Sequence, residues 1–338
     1  MKADIRNVDT CSGYEEMLLS DEAFAGGVSH RGRDGVFAMK LHEHDKYNGS
    51  LRASKSWFFF GNRIVCMGSD IENKAGGGLH TTLFQNFMEN VSDTLVVNGE
   101  AVTQFPYRAE LAGGAVLRDN LHNVWFVPEG KVCVTKRLQR SLDEETDAPT
   151  QNDFATAWID HGSGVVSGGG YEYMLVVHAS DGEAARYARE LPYEVLRRDA
   201  SAHILRDRLS GAVGYALFAS GKVGEGLLES VSLPSLVMIG GDGEGLTVSA
   251  ADPDLRFYEG PGDEVFDADG KRVERSVYSR KWIDNPSGAS QLEVVIRGRW
   301  QPEGDTPGCR IAVEGANTSL TFTCREGATR EVNLIEMK

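Results

Sequence analysis

Residues 39–49 read MKLHEHDKYNG, with His42, Glu43, His44 and Asp45 in four successive positions. Three readings are open for such a group. His42 and His44 could chelate a metal, Glu43 could do acid–base work, or the stretch could be a solvated strand end before a turn at Asn48-Gly49. On a strand, residues i and i+2 share a face, so the two imidazoles can converge. A zinc-type site needs at least a third protein ligand, and no second H-x-H and no H-E-x-x-H occurs. No metal is therefore expected. Period two sends Glu43 the other way, onto the face that carries Phe37, Met39 and Leu41. A carboxylate continuing an apolar stripe is either the strand end reaching water or a deliberately placed polar group. A carboxylate in acid–base chemistry needs a positioned partner.

Other groups offer less. In DHGSG (160–164), Asp160 and His161 could hydrogen-bond and Ser163 invites a triad, but no G-x-S-x-G elbow on a strand-to-helix turn is present. GGDGEG (240–245) and VGEG (223–226) are not dinucleotide fingerprints, because no helix pattern follows them. No cofactor is implied. Trp57, Trp125, Trp158, Trp282 and Trp300 read first as core or strand-face residues and second as sugar platforms. The five cysteines show no C-x-x-C spacing. Cys309 and Cys324 flank a turn evenly and could face each other across a hairpin, as a disulfide or as two buried thiols.

These residues sit in a chain of 338, long enough for about two domains. A net charge of −15 and the lack of any RNP or zinc-finger pattern argue against nucleic acid as a partner. No apolar run is long enough to span a membrane, and MKADIRNVDTCSG lacks the apolar region of an export signal. The charge is uneven. Residues 28–55 hold six Lys and Arg against three acids, leaving 29 basic and 47 acidic side chains elsewhere. A locally basic strip on an acidic body can bind anions.

The elements are mostly strands. VFAMKLHEH alternates with period two, and SWFFFGNRIVCMG reads as a hairpin turning at Gly61-Asn62. Asn98-Gly99 and Glu129-Gly130 are further hairpin turns. DGEAARYARE (181–190) is the one convincing helix after a short helix and loop over residues 1–27. Strands following strands predict an all-β chain of antiparallel sheets, with a large central sandwich over 28–190 and a smaller C-terminal sandwich over 191–338.

Several of these segments go beyond pattern. GVFAMKLHEHD, SLRASKSWFFFGNRIVCMGSDIEN and HTTLFQN, then WIDHG with YEYMLVV and EVLRRDASAHILRD, resemble the β-sandwich part of polysaccharide lyase family 8. The likeness is strongest to the broad-specificity chondroitin sulfate ABC lyases and covers residues 24–258. It implies eliminative cleavage of chondroitin or dermatan sulfate or hyaluronan. The uronate carboxylate is neutralised, the C5 proton removed and the 4-linked sugar expelled. The resemblance assigns proton transfer to a tyrosine and a histidine, assisted by an arginine, on an α/α toroid that these residues do not include. A separate toroid polypeptide is thus an implied partner, beside the acidic polysaccharide itself. The family acts outside the cytoplasm. Its sandwich contributes one glutamate to the active site, for which Glu43 is the best match, with His42, His44, Lys40 and Arg33 as candidate lining for the polyanion. A non-catalytic carbohydrate-binding or scaffold protein is the alternative.

Overall fold

The computed structural model of the protein describes residues 22–43, 49–143, 145–242, 245–256, 265–266, 268–270, 272–273 and 288–337. The expected helix and loop over 1–27 falls largely outside these residues. Its FAGG end, however, already enters the first strand. Contacts divide the chain into two compact units, Trp57–Pro192 and Met1–Ser56 with Tyr193–Lys338.

Strands β1 (Ala25–His30) and β2 (Asp34–His42) form an antiparallel hairpin with Val28 opposite Val36. Arg31 and Gly32 in its turn take φ of 53° and 64°. β3 (Arg52–Phe60) then carries the chain from one unit into the other.

The central unit contains β4 (Arg63–Asn73), β5 (Gly78–Phe87), β6 (Leu95–Val97), β7 (Glu100–Val102), β8 (Tyr107–Leu111) and β9 (Ala115–Arg118). β10 (Val124–Val127), β11 (Lys131–Leu142), β12 (Pro149–Ser163), β13 (Val166–Val176) and helix α1 (Asp181–Arg189) complete it. These strands lie in two antiparallel sheets, a nine-stranded one ordered β1-β2-β3-β4-β13-β10-β9-β6-β7 and a four-stranded one ordered β5-β12-β11-β8. Aromatic rings join them. Phe84 of β5 lies 5.6 Å from Trp125 of β10, and Tyr173 and Tyr171 of β13 continue the stack. Gly68 opposes Tyr171, and a Cβ there would sit 2.2 Å from the ring, so the glycine makes room for the stack. The turns at Gly61-Asn62 and Asn98-Gly99 close hairpins as expected, the latter with φ of 51° and 86°. Glu129-Gly130 does not. β10 pairs with β9 and β13, whereas β11 pairs with β8 and β12. The turn hands the chain from one sheet to the other, and Pro128 just before it has no N–H to offer a ladder. α1 begins at a capping box, in which Ser180 and Glu183 satisfy each other's backbone N–H.

The other unit continues with β14 (Tyr193–Asp199), β15 (Ala202–Asp207), β16 (Val213–Leu217), β17 (Gly221–Glu225), β18 (Leu228–Val231), β19 (Ser235–Asp242) and β20 (Gly245–Ala251). After the two short strands β21 (Val265–Phe266) and β22 (Arg272–Val273) come β23 (Ser290–Arg297), β24 (Trp300–Pro302), β25 (Cys309–Glu314), β26 (Asn317–Cys324) and β27 (Arg330–Glu336). Sheets β14-β15-β16-β19-β20-β27-β24 and β17-β18-β23-β26-β25 enclose a core that includes Tyr215, Leu228, Val248, Val294, Leu320 and Phe322.

By hydrogen bonding β1 and β2 continue the nine-stranded sheet through β3, while by contacts the β1–β2 hairpin groups with this second unit. The physical reason is a dedicated docking surface. β1 lies against β19 and β20, and β2 against β16 and β19. Phe24 stacks 5.2 Å from Phe218, and Ser29 N–H donates to Thr329 Oγ1 at 3.0 Å. His30, almost wholly buried, donates from Nδ1 to Ser249 Oγ at 2.7 Å, because that hydroxyl itself donates to Glu331. Cys309 lies opposite Phe322 and Cys324 opposite Ser290, so the two thiols are not cross-strand partners. Both are buried and free, and burial pushes the Cys309 thiol up to about 12.

Candidate functional site

β2 decides how the opening segment is presented. Its buried side chains are Asp34, Val36 and Ala38, while Phe37 is 38% exposed. The Phe37–Met39–Leu41 stripe is therefore the more open face of the strand, and Glu43 continues that face just beyond its end. The glutamate is held at the mouth of the loop that leads to β3. Its N–H donates to Leu51 O at 2.8 Å, and its Oε2 accepts from Leu51 N at 3.4 Å. His42, on the opposite face, places Nε2 3.2 Å from Gly49 O. The loop mouth thus brings His42 and Glu43 together through the backbone. Each side chain remains half-buried.

The other candidates divide. Lys40 lies one residue pair behind His42 on the same face, with Nζ 3.9 Å from Glu22. Arg33 is at the opposite end of β2, where it pairs with Asp34 at 3.2 Å. Ten strand residues at about 3.3 Å each separate it from Glu43, so Arg33 cannot line the same spot. His44 lies outside the described residues. Among the described residues no group of His, Cys, Asp and Glu could hold a metal ion.

The DHGSG segment does not form a triad. Asp160 and His161 are successive residues of β12 and point to opposite faces. Asp160 pairs with Lys131 at 3.1 Å and receives Gly162 N–H, which is the main reason its carboxyl lies below the usual range. His161 Nε2 meets Thr81 Oγ1 at 2.8 Å.

One grouping was not visible in the sequence. Register places His80, Asp160 and Lys131 in one row of the β5-β12-β11-β8 sheet, and Thr82, Trp158, Cys133 and Glu110 in the next. Ion pairs run across that face, Arg108–Glu110 at 2.7 Å, Glu110–Lys131 at 2.9 Å and Lys131–Asp160 at 3.1 Å. The His80 ring lies 5.3 Å from Trp158. Only the strand order supplies the neighbours of Trp158.

Residues 2–188 match the model of the polysaccharide lyase family 8 super-sandwich domain. The chain belongs to polysaccharide lyase family 8. It is 40% identical over 339 aligned residues to a chondroitin sulfate ABC exolyase of Bacteroides thetaiotaomicron, covering 99% of this chain and 32% of that protein. A chondroitin sulfate ABC exolyase of Proteus vulgaris is 35% identical, over 89% of this chain and 30% of that protein. The chain thus spans about a third of the length of these relatives. Among solved structures, Paenibacillus xanthan lyase superposes with a TM-score of 0.76 at 18% identity, over 95% of this chain and 29% of that one. The Streptomyces coelicolor chondroitin AC lyase in complex with chondroitin sulphate gives 0.67 at 19% identity, over 93% and 36%. At such identities the two superpositions show a shared all-β lyase sandwich fold.

Proposed function

We propose that this chain is the β-sandwich portion of a glycosaminoglycan lyase acting on chondroitin or dermatan sulfate and hyaluronan by β-elimination. The observation that carries the reading is the 40% identity to a chondroitin sulfate ABC exolyase across 99% of the chain. In elimination the C5 proton leaves a uronate, the electrons form the C4–C5 double bond, and the 4-linked sugar departs with a proton. The base and acid for these steps are assigned to a toroid domain, on the same or a separate polypeptide. Glu43 is assigned the orienting role on the sandwich side, with His42, His44 and Lys40 beside it. Its support is local. Glu43 is half-buried just beyond the end of β2, where its carboxylate accepts from Leu51 N–H at 3.4 Å and its backbone N–H donates to Leu51 O at 2.8 Å. A carboxylate held this way can order a neighbouring donor without itself exchanging the reacting proton.

The test supplies the toroid. The 338 residues alone, and then mixed with the toroid portion of the Bacteroides relative, are assayed on chondroitin sulfate for absorbance of the unsaturated product. No turnover alone and turnover on mixing is the expected pattern. In the mixture Glu43→Gln lowers kcat about tenfold or more with KM little changed, as loss of positioning should. Robust turnover by the chain alone would remove the toroid from the proposal. Polysaccharide binding without turnover in any mixture would leave the non-catalytic scaffold as the better reading.

A further inference from the structure

The outward face of the β5-β12-β11-β8 sheet carries donors that the chain itself does not use. Its inward residues, Val132, Val134, Ala155, Ala157 and Ile159, are buried. The outward set alternates with them. The two carboxylates of this face, Glu110 and Asp160, are both neutralised by Arg108 and Lys131. Arg137, also outward and exposed, has no carboxylate partner among the described residues. The face therefore has an uncompensated positive charge on a chain whose net charge is −15.

Two more observations point the same way. Thr135 is 4% exposed, lies in the same outward register as Arg137, and its Oγ1 has no hydrogen-bond partner. A buried hydroxyl without a partner is destabilising, and a ligand that displaces the side chains covering it can complete it. Beside it is an aromatic and amide surface. Trp158 is half-buried, with His80 at its edge. Phe87, 51% exposed, meets Phe154 edge-on at 6.1 Å. Gln139 donates to Thr156 Oγ1 at 2.9 Å and accepts from Gln85 at 2.6 Å.

We propose that this sheet face binds a stretch of uronate-bearing polysaccharide, with Trp158 under a sugar ring, the Thr135 hydroxyl completed by a sugar hydroxyl, and Arg137 opposite a carboxylate or sulfate. It rests on the reading of the chain as part of a glycosaminoglycan lyase and adds to it a contact that performs no chemistry. A pyranose offers an apolar face for the ring and hydroxyls for the amides, and an acidic sugar supplies the charge that Arg137 lacks. A protein partner would have to bury the whole Arg108–Glu110–Lys131–Asp160 ladder, which is costly.

The test titrates a chondroitin sulfate octasaccharide against the full chain at low salt. Trp158→Ala and Arg137→Ala are each expected to weaken binding about tenfold, and Trp158→Phe to restore most of it. Arg310→Ala, an exposed cation of the other unit, should bind as the parent does. Arg137→Ala should also flatten the salt dependence, since its charge is what salt screens. Unchanged binding in both Trp158→Ala and Arg137→Ala overturns the proposal, as does absence of binding by the parent chain. Either result leaves the elimination assay free to succeed. Conversely, failure of that assay with these variants weakened would sink the lyase reading and keep the glycan face. Arg137 is exposed, so an unfolding midpoint of Arg137→Ala equal to the parent's assigns its weakened binding to the lost contact.

Discussion

Adjacent residues of β11 handle polar groups in opposite ways. Lys136 points inward and is wholly buried. Its ammonium has three donors, and all three are used on backbone oxygens, Val91 O at 3.1 Å, Asp93 O at 2.8 Å and Val102 O at 3.3 Å. Thr135 and Arg137 point outward, and neither uses its donors on the chain. A polar side chain whose valences are filled by its own fold is structural. One left unfilled beside an aromatic surface is available to a ligand. The Lys136 cation acts as a fixed bolt between the segment after β5 and the end of β7.

The sharpest way to break this contrast is Lys136→Met. The substitution keeps length and leaves three buried carbonyls without a donor, so a loss of about 4 kcal/mol is expected. Arg137→Ala, one residue on, should stay within about 0.5 kcal/mol of the parent. Urea unfolding of the two variants makes the comparison. A loss under about 1 kcal/mol for Lys136→Met would show that water fills the gap and that the bolt is dispensable.

Histidines extend the contrast to the other unit. His203 is wholly buried, meets Ser56 Oγ at 2.7 Å and receives the edge of Phe218 at 5.0 Å. Burial, with Arg198 nearby adding to it, pushes its pKa down to about 3 from 6.5. Because the folded value lies below the unfolded one, the unfolded state takes the proton first. The stabilisation is complete above about pH 6.5 and is lost progressively as pH falls toward 3. Between pH 6.5 and 4.5 the loss should reach about 2–3 kcal/mol. His30, also lowered by burial, adds to the same window. His203→Gln keeps a partner for Ser56 without the titration, so its stability should fall less over that range. Parallel stability curves for parent and variant would refute the assignment.

The sequence alone carried the class of fold further than the arrangement of sites. Period two in VFAMKLHEH, the turns at Gly61-Asn62 and Asn98-Gly99, and the helix pattern of DGEAARYARE are local signals, and each produced the element expected. The Glu129-Gly130 turn misled because a turn motif fixes the reversal of the chain and not the strand's partners, which β9 and β13 already occupied for β10. The side of β2 that packs was equally hidden. Val36 and Ala38 are smaller than Phe37 and Met39, but they are the ones that fit against β16 and β19. For the candidate site, strand arithmetic was enough to separate Arg33 from Glu43. The meeting of Glu43 with Leu51 was not, since it closes a loop. The glycan face was out of reach for the same reason as the sheet switch. Trp158, Thr135 and His80 come from three strands whose order no local pattern encodes.

The smallest effect is the most discriminating, because fold and ligand pull it in opposite directions. Thr135→Val replaces the hydroxyl with a methyl of similar size. If the hydroxyl serves only the fold, losing it should cost stability, as removal of a native hydrogen bond does. In this structure it has no partner, so the isolated chain should keep its stability or gain up to about 1 kcal/mol. With the octasaccharide present the sign should reverse, because the sugar hydroxyl then loses its acceptor and binding weakens about fivefold. Thermal midpoints with and without the ligand separate the two contributions. A variant less stable than the parent in the absence of glycan would mean that Thr135 is satisfied within the protein, and the outward face would lose its strongest claim to a ligand.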